Sequence, residues 1–168
     1  MDPAGNPAPS RPEAVVLCGV QGSGKTTFYR RRFAGTHTRL SLDELKTRAR
    51  EREALMACLA AWRSFVVDNT NPSPEERAVY VAPAVASGFR VVAFWLEALP
   101  REALARNARR EGRERIPVPG VLGTYKRLQV PSLDEGFDAV FRVRSEDGHR
   151  FRVEPLETHR ARVDPDPA

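Results

Sequence analysis

The sequence has 168 residues, of which 41% are hydrophobic and 29% charged, a length and composition that suit one domain with its own core. Its net charge of +5 is compatible with polyanionic partners but does not identify one. A membrane protein is excluded, because no segment approaches ~20 consecutive apolar residues. The N-terminus also lacks the apolar core of a signal peptide, so we expect a cytoplasmic protein with no membrane partner. In that reducing compartment we expect Cys18 and Cys58 to be reduced core residues.

The first predicted elements surround a glycine-rich loop. Residues 1–12 are rich in Pro, Ala and Gly, and we expect a flexible lead-in. The apolar run from Ala14 to Cys18 predicts a buried strand, and residues 26–33, which contain no Gly or Pro, predict a helix. Between them, residues 19–26 read GVQGSGKT and fit the pattern G-x-x-x-x-G-K-[ST]. In such a loop, backbone N–H groups and the positive end of the helix face bound phosphates.

We expect this loop to bind a nucleoside triphosphate, with ATP as the phosphate donor. Lys25 would reach the β- and γ-phosphates, and the Thr26 hydroxyl would bind the Mg²⁺ that bridges them. The predicted nucleotide-binding residues of the loop are Gly19, Gln21, Gly22, Ser23, Gly24, Lys25, Thr26 and Thr27.

The middle of the chain places two aspartates directly after predicted strands. Residues 38–41 predict a strand, and helical patterns follow through residues 42–63. Asp43 lies at that junction and is the candidate to accept the proton of an incoming hydroxyl, the alternative being a helix cap. Residues 64–67 predict the next strand, which ends at Asp68. This carboxylate is a candidate to hold Mg²⁺ or its waters, and the alternative is an Asx turn without a metal.

The second half continues the alternation of helices and strands. The predicted helices cover residues 74–87, 100–110 and 121–128, and the predicted strands cover residues 91–96 and 139–143. Residues 150–154 would pair with the last strand in a hairpin across residues 146–149. The domain would then occupy residues 13–154, followed by a polar tail over residues 155–168.

An arginine cluster follows the helix predicted at 100–110. It consists of Arg106, Arg109, Arg110, Arg113 and Arg115. Such a cluster is typical of a lid whose arginines neutralise charge on the transferring phosphoryl group, and we assign Arg106, Arg109 and Arg110 to ATP binding. The alternative is a solvated helix face, on which neighbouring glutamates pair with these arginines at i, i+3 or i+4 spacing.

Strands that alternate with helices predict an α/β fold, a three-layer P-loop NTPase sandwich with a mainly parallel sheet and an Arg-rich lid. In such folds the ligand lies at the carboxyl ends of the strands. The phosphate loop, Asp43 and Asp68 each follow a strand end, so we expect them to meet in one site.

Several segments together resemble the 5′-kinase domain of polynucleotide kinases, over about residues 13–144. They are GVQGSGKTTF (19–28), LSLDELK (40–46), VVDNTNPSPEER (66–77), RNARREGR (106–113) and VPGVLGTYKRLQVPSLDEGFDAVFRV (118–143). The VDNTNP and P-x-L-x-E-G-F parts discriminate best, because many kinases share the phosphate loop. The sequence contains neither a D-x-D-G-T phosphatase motif nor a nucleotidyl-transfer lysine motif, so it resembles a stand-alone kinase module.

The resemblance implies transfer of the γ-phosphate of ATP, with Mg²⁺, to a 5′-hydroxyl end of DNA or RNA. It makes Asp43 the general base and matches Arg110 to the family's lid arginine, with Arg109 close enough to be confused with it. Lys46 falls where the phage enzyme has an arginine on the acceptor phosphate, and Arg48 could share that contact. The resemblance also places two residues of the segment 66–77 in the expected acceptor site, the acidic Asp68 and the basic Arg77.

Two other functions stay open on the sequence. One is a small-molecule kinase of the same fold, acting on a nucleoside, sugar or antibiotic hydroxyl. The other is a nucleotide-binding switch that changes shape with ATP and transfers nothing.

Overall fold

A computed structural model describes residues 11–146 and 150–156 of the chain. Its six strands form one sheet in the order β2-β3-β1-β4-β5-β6. Neighbouring strands are parallel except for the last pair, which is antiparallel, so the predicted mainly parallel sheet is confirmed. The strands are β1 Glu13–Cys18, β2 Thr38–Leu40, β3 Phe65–Asp68, β4 Arg90–Glu97, β5 Ala139–Glu146 and β6 Arg150–Pro155.

Helices cover both faces of this sheet, as predicted for a three-layer sandwich. They are α1 Lys25–Arg32, α2 Leu42–Leu45, α3 Arg48–Ala60, α4 Pro74–Ala86, α5 Pro100–Ala108 and α6 Val118–Arg127, with short 3₁₀ turns at Gly112–Glu114 and Leu133–Glu135. Local sequence explains several starts. Ser73 and Thr47 cap α4 and α3, because each side chain accepts a hydrogen bond from a backbone N–H three residues later.

Some predicted boundaries were wrong. The helical pattern of residues 42–63 is divided between α2 and α3, because Lys46 has a positive φ of 73° that ends the first helix. Helix α6 begins at Val118 rather than at residue 121, with prolines at its start, where a missing N–H costs no helical hydrogen bond. The predicted β5–β6 pairing is confirmed, while the centre of its turn, residues 1–10 and residues 157–168 lie outside the described residues.

Two apolar layers pack on the sheet. Alternate residues of β1 divide between them, with Val16 and Cys18 on the α3–α4 side and Val15 and Leu17 on the α1 side. Both cysteines are buried and free, as predicted, and burial raises the pKa of the Cys18 thiol to about 12. Within the described residues, none of the helices has the length and apolar character that crossing a bilayer requires.

Candidate active site

The phosphate loop leads from β1 into α1 at the carboxyl edge of the sheet. Gly22 and Gly24 have φ values of 81° and 98°, which only glycine adopts without strain. A Cβ atom on Gly22 would also collide with the carbonyl oxygen of Ala103 in α5. Helix α5 therefore lies directly against the loop, and the sequence pattern GVQGSGKT forms the backbone turn that it predicts.

Lys25 points back into this loop. Its Nζ donates hydrogen bonds to the carbonyl oxygens of Gly19 and Val20, at 2.8 and 2.9 Å. Burial lowers the pKa of Lys25 to about 8; the charge of Asp68 opposes this lowering, that of Arg110 adds to it, and that of Asp43 also opposes it. The neighbouring parallel strands β1, β3 and β2 lead to the phosphate loop, Asp68 and α2, so the fold places Lys25, Asp68 and Asp43 at the same edge of the sheet.

Asp68, at the end of β3, is paired with an arginine that sequence reasoning missed. Arg39 of β2 donates two hydrogen bonds to one carboxylate oxygen of Asp68, at 2.9 and 2.7 Å, and lies 3.5 Å from the hydroxyl oxygen of Thr26. A second carboxylate, Glu44, also accepts from Arg39. The guanidinium stacks 5.2 Å from the ring centre of Tyr29. Asp68 is thus the ion-pair partner of Arg39.

Asp43 lies on α2, one of the shortest helices. Ser41 occupies the N-cap position, so the alternative interpretation of Asp43 as the helix cap is wrong. The residue is exposed, and among the described residues no hydrogen-bond partner of its carboxylate is found. Its side chain is therefore available to a bound hydroxyl.

The arginine cluster borders the loop as a lid would. Arg106 donates to the carbonyl oxygen of Gly22 at 3.3 Å, and the side chain of Gln21 donates to Thr124 of α6 at 3.2 Å. Within the described part of the chain, none of the cluster's arginines forms the ion pairs with nearby glutamates that the solvated-face alternative includes. Arg109, Arg113 and Arg115 are nevertheless exposed, as a solvated face would have them. The charge of Arg110 contributes to the lowered pKa of Lys25, whereas Arg109 is exposed.

The predicted acceptor-binding residues separate into two groups. Lys46 and Arg48 are exposed beside Asp43, although Arg48 also donates to Glu51 and to Tyr80. The prediction for Arg77 was wrong: its side chain is fully buried, pairs with Glu135 at 2.7 and 3.0 Å, and donates to two backbone carbonyls. Arg77 therefore holds elements together and does not face an acceptor.

Two comparisons of the sequence with known proteins found similarities. A family model described as an AAA domain matches residues 47–129. The bifunctional polynucleotide phosphatase/kinase of Schizosaccharomyces pombe is 29% identical over 134 residues, which cover 76% of this chain and only 32% of that protein.

Solved structures add evidence on the fold. The AvrRxo1-ORF1:-ORF2 complex with ATP superposes with a TM-score of 0.64 at 14% identity, covering 86% of this chain and 58% of the other. A gluconokinase from Sinorhizobium meliloti superposes with a TM-score of 0.55 at 18% identity, covering 79% and 82%. The fold is that of a P-loop NTPase. Together with the sequence similarity, this fold supports a P-loop kinase that binds a nucleotide, whereas the polynucleotide acceptor stays a prediction.

Proposed function

We propose that the protein is a polynucleotide kinase that transfers the γ-phosphate of ATP to 5′-hydroxyl ends of DNA or RNA, in the healing of broken ends. The observation that carries the proposal is the placement of Lys25, Asp68 and Asp43 at the carboxyl ends of the neighbouring strands β1, β3 and β2. The charge of Arg110 also contributes to the lowered pKa of Lys25. Asp43, Asp68 and Arg110 are then a base, a metal ligand and a lid cation around a phosphate-binding lysine, which are the groups that phosphoryl transfer requires. The similarity to a polynucleotide phosphatase/kinase supports a nucleic acid as the acceptor.

The site residues fit Mg²⁺. Asp68 and Thr26 both offer hard oxygen donors, and the same guanidinium nitrogen of Arg39 lies 2.7 Å from the Asp68 carboxylate and 3.5 Å from the Thr26 hydroxyl, so the two oxygens flank one cationic group. Among the described residues, no group of three or more His, Cys, Asp or Glu side chains is arranged to hold a metal. A Mg²⁺ ion would therefore share its coordination with the triphosphate, and when bound it would neutralise charge on the β- and γ-phosphates.

The protein's own residues then have defined tasks in an in-line transfer. Lys25 exchanges the carbonyl oxygens of Gly19 and Val20 for phosphate oxygens, and Arg110 closes over the same phosphates. Asp43 accepts the proton of the 5′-hydroxyl while that oxygen bonds to the γ-phosphorus and the bond to the β-phosphate oxygen breaks, releasing ADP. Lys46 and Arg48 attract the phosphates of the acceptor strand.

An acceptor screen tests the proposal. Purified protein with γ-labelled ATP and Mg²⁺ is offered a 5′-hydroxyl oligonucleotide, the same oligonucleotide with a 5′-phosphate, free nucleosides and sugar acids. We expect label on the 5′-hydroxyl oligonucleotide alone. Equal or better labelling of a nucleoside or sugar would instead identify a small-molecule kinase, and no transfer to any acceptor would favour a nucleotide switch.

Salt dependence is a second test of the acceptor. A strand gripped through its phosphates releases counterions, so oligonucleotide affinity should fall steeply with added salt, and a flat response would indicate an acceptor of mononucleotide size. We also propose a reducing, cytoplasmic setting, which the two free buried cysteines support.

A further inference from the structure

Helix α2, which carries Asp43, cannot fix its own position. It has four residues, too few for a helix to be stable alone. Its N-cap residue, Ser41, makes no side-chain capping bond, and the buried Ser41 hydroxyl has no hydrogen-bond partner among the described residues. At the other end Lys46 holds a positive φ of 73°, which is unfavourable for a lysine. The orientation of Asp43 must therefore come from outside α2.

Asn69, the residue after β3, supplies that support. Its Oδ1 accepts a hydrogen bond from the backbone N–H of Leu42 at 3.0 Å, so it caps α2 from a distant part of the chain. Its Nδ2 donates to Glu51 at 2.8 Å and lies 3.3 Å from the hydroxyl oxygen of Tyr80. One amide group thus joins the helix of the base to α3 and α4.

Glu51 determines which way this amide faces. Its side chain is 4% exposed, and it also accepts from Tyr80 at 2.7 Å and from Arg48 at 2.9 Å. A buried carboxylate requires donors, so the NH₂ group of Asn69 must face Glu51. The carbonyl group of Asn69 is then left to face Leu42.

The loop of residues 69–71, which follows β3, is also hydrogen-bonded to the segment that begins the phosphate loop. The carbonyl oxygen of Thr70 accepts from the N–H of Gly19 at 3.0 Å, and the side chain of Asn71 donates to the carbonyl oxygen of Leu17 at 2.8 Å. Three consecutive residues, Asn69, Thr70 and Asn71, therefore connect α2, which carries Asp43, on one side with the start of the phosphate loop on the other.

We propose that Asn69, oriented by Glu51, is a positioning residue for the reaction. It places Asp43 against the hydroxyl to be phosphorylated, and a small displacement of such a group can lower the rate about 10²-fold. The inference rests on the proposed function only for the task of Asp43. The hydrogen bond from Leu42 to Asn69 does not depend on the acceptor.

An exchange of donor and acceptor tests this arrangement. Asn69→Ala removes the bonds, and Asn69→Asp sets a second carboxylate against Glu51. We expect both variants to lower kcat roughly 10- to 100-fold while the KM for ATP stays within about two-fold, because the phosphate loop is intact. In the double variant Asn69→Asp with Glu51→Gln, the glutamine NH₂ donates to the new carboxylate, which can still accept from Leu42. We expect its kcat to return to within about five-fold of the unchanged protein.

A stability control and a second readout complete the experiment. Ser73→Ala removes the cap of α4 without touching Asn69, and it should lower the Tm by a few degrees while leaving kcat unchanged. Hydrogen exchange of the Leu42 amide should accelerate at least about ten-fold in Asn69→Ala and be restored in the double variant.

The outcomes separate the two proposals. A normal kcat with unchanged Leu42 exchange in Asn69→Ala, or a double variant no better than Asn69→Asp, overturns the positioning role and leaves the kinase assignment standing. If no acceptor is phosphorylated but Leu42 exchange responds as expected, the hydrogen-bonded arrangement is supported and the proposed function fails.

Discussion

Arg39 and Asp68 form a two-pronged contact on a single carboxylate oxygen, at 2.9 and 2.7 Å, beside the hydroxyl of Thr26. The Asp68 side chain is 3% exposed and that of Arg39 is 17% exposed, so the pair is largely removed from water. In the protein without nucleotide, the positive charge of Arg39 balances the carboxylate that we assign to Mg²⁺. Because both hydrogen bonds end on the same oxygen, we expect a metal ion bound through that oxygen to displace Arg39.

We predict that Arg39→Met lowers the stability of the nucleotide-free protein and reduces the Mg²⁺ concentration needed for nucleotide binding. Loss of the arginine leaves Asp68 buried and unpaired, at a cost of about 3 kcal/mol, and also removes a competitor for the cation. Urea unfolding measures the first effect, and fluorescence titration of a labelled ATP analogue with Mg²⁺ measures the second.

Arg90→Met is the matched control for this experiment. Arg90 also pairs with a carboxylate, Glu13, but at the start of β4, away from the phosphate loop. The Arg90→Met variant should need the same Mg²⁺ concentration for nucleotide binding as the unchanged protein. If Arg39→Met needed more Mg²⁺ than the unchanged protein, Arg39 would assist the metal rather than compete with it.

For the base, we predict that Asp43→Asn lowers turnover roughly 10²-fold or more without weakening nucleotide binding, because the amide cannot accept the hydroxyl proton. Single-turnover phosphorylation of an oligonucleotide and equilibrium binding of ATP separate the two effects. Glu44→Gln alters the adjacent carboxylate, which bonds Arg39, and should change turnover only a few-fold. If both variants lost turnover equally, Asp43 would not be the general base.

In the lid, we predict that Arg110→Ala lowers kcat roughly 10²- to 10³-fold, whereas Arg109→Ala changes it less than about three-fold. The charge of Arg110 contributes to the lowered pKa of Lys25, the residue that we propose binds the phosphates, whereas Arg109 is exposed. Steady-state kinetics on both variants checks the difference between two neighbouring residues of the same type. A larger loss for Arg109 would reassign the lid contact.

The sheet and the phosphate loop are predictable because their signals are local. An apolar run such as Ala14–Cys18 has few alternatives to a buried strand, and the glycines of the loop are required by the turn itself. The break between α2 and α3 is not predictable in this way. Lysine is a good helix former, so Lys46 itself does not indicate that its backbone leaves the helix, and the only local signal is Thr47, a residue type that is favoured at the N-cap of a new helix but also occurs within helices.

The site residues that were missed depend on contacts between distant parts of the chain. Arg39 reaches Asp68 only because β2 pairs with β3 in parallel, with Arg39 opposite Val66. Asn69 and Glu51 lie on different elements, and their hydrogen bond is visible only in the fold. Arg77 was misassigned for the same reason, since its partner Glu135 lies 58 residues further along the chain.

The buried ion pair itself provides a prediction: Arg77→Met should lower the free energy of unfolding by about 3 kcal/mol or more, because Glu135 keeps its charge without a partner. Well below the unfolding temperature, the KM for the oligonucleotide should stay within about two-fold. Denaturant unfolding and initial-rate kinetics check both statements. A raised KM with unchanged stability would return Arg77 to the acceptor site.

Glu13, the first residue of β1, lies at the amino ends of the strands, away from the candidate site, and makes the stability of the fold depend on pH. A hydrogen bond from His37 is the main cause that lowers the pKa of the Glu13 carboxyl below its ordinary value of 4.5, and Arg90 adds to it. A lowered carboxyl pKa stabilises the fold above the unfolded-state pKa, and this contribution disappears as the pH falls through the folded-state pKa. For these partly exposed pairs it should amount to about 0.5–1 kcal/mol. Glu13→Gln should therefore be less stable than the unchanged protein in urea unfolding at about pH 7, and the difference should shrink steadily as the pH is lowered below 4.5. A difference that did not shrink would mean that packing, and not charge, accounts for the effect of Glu13.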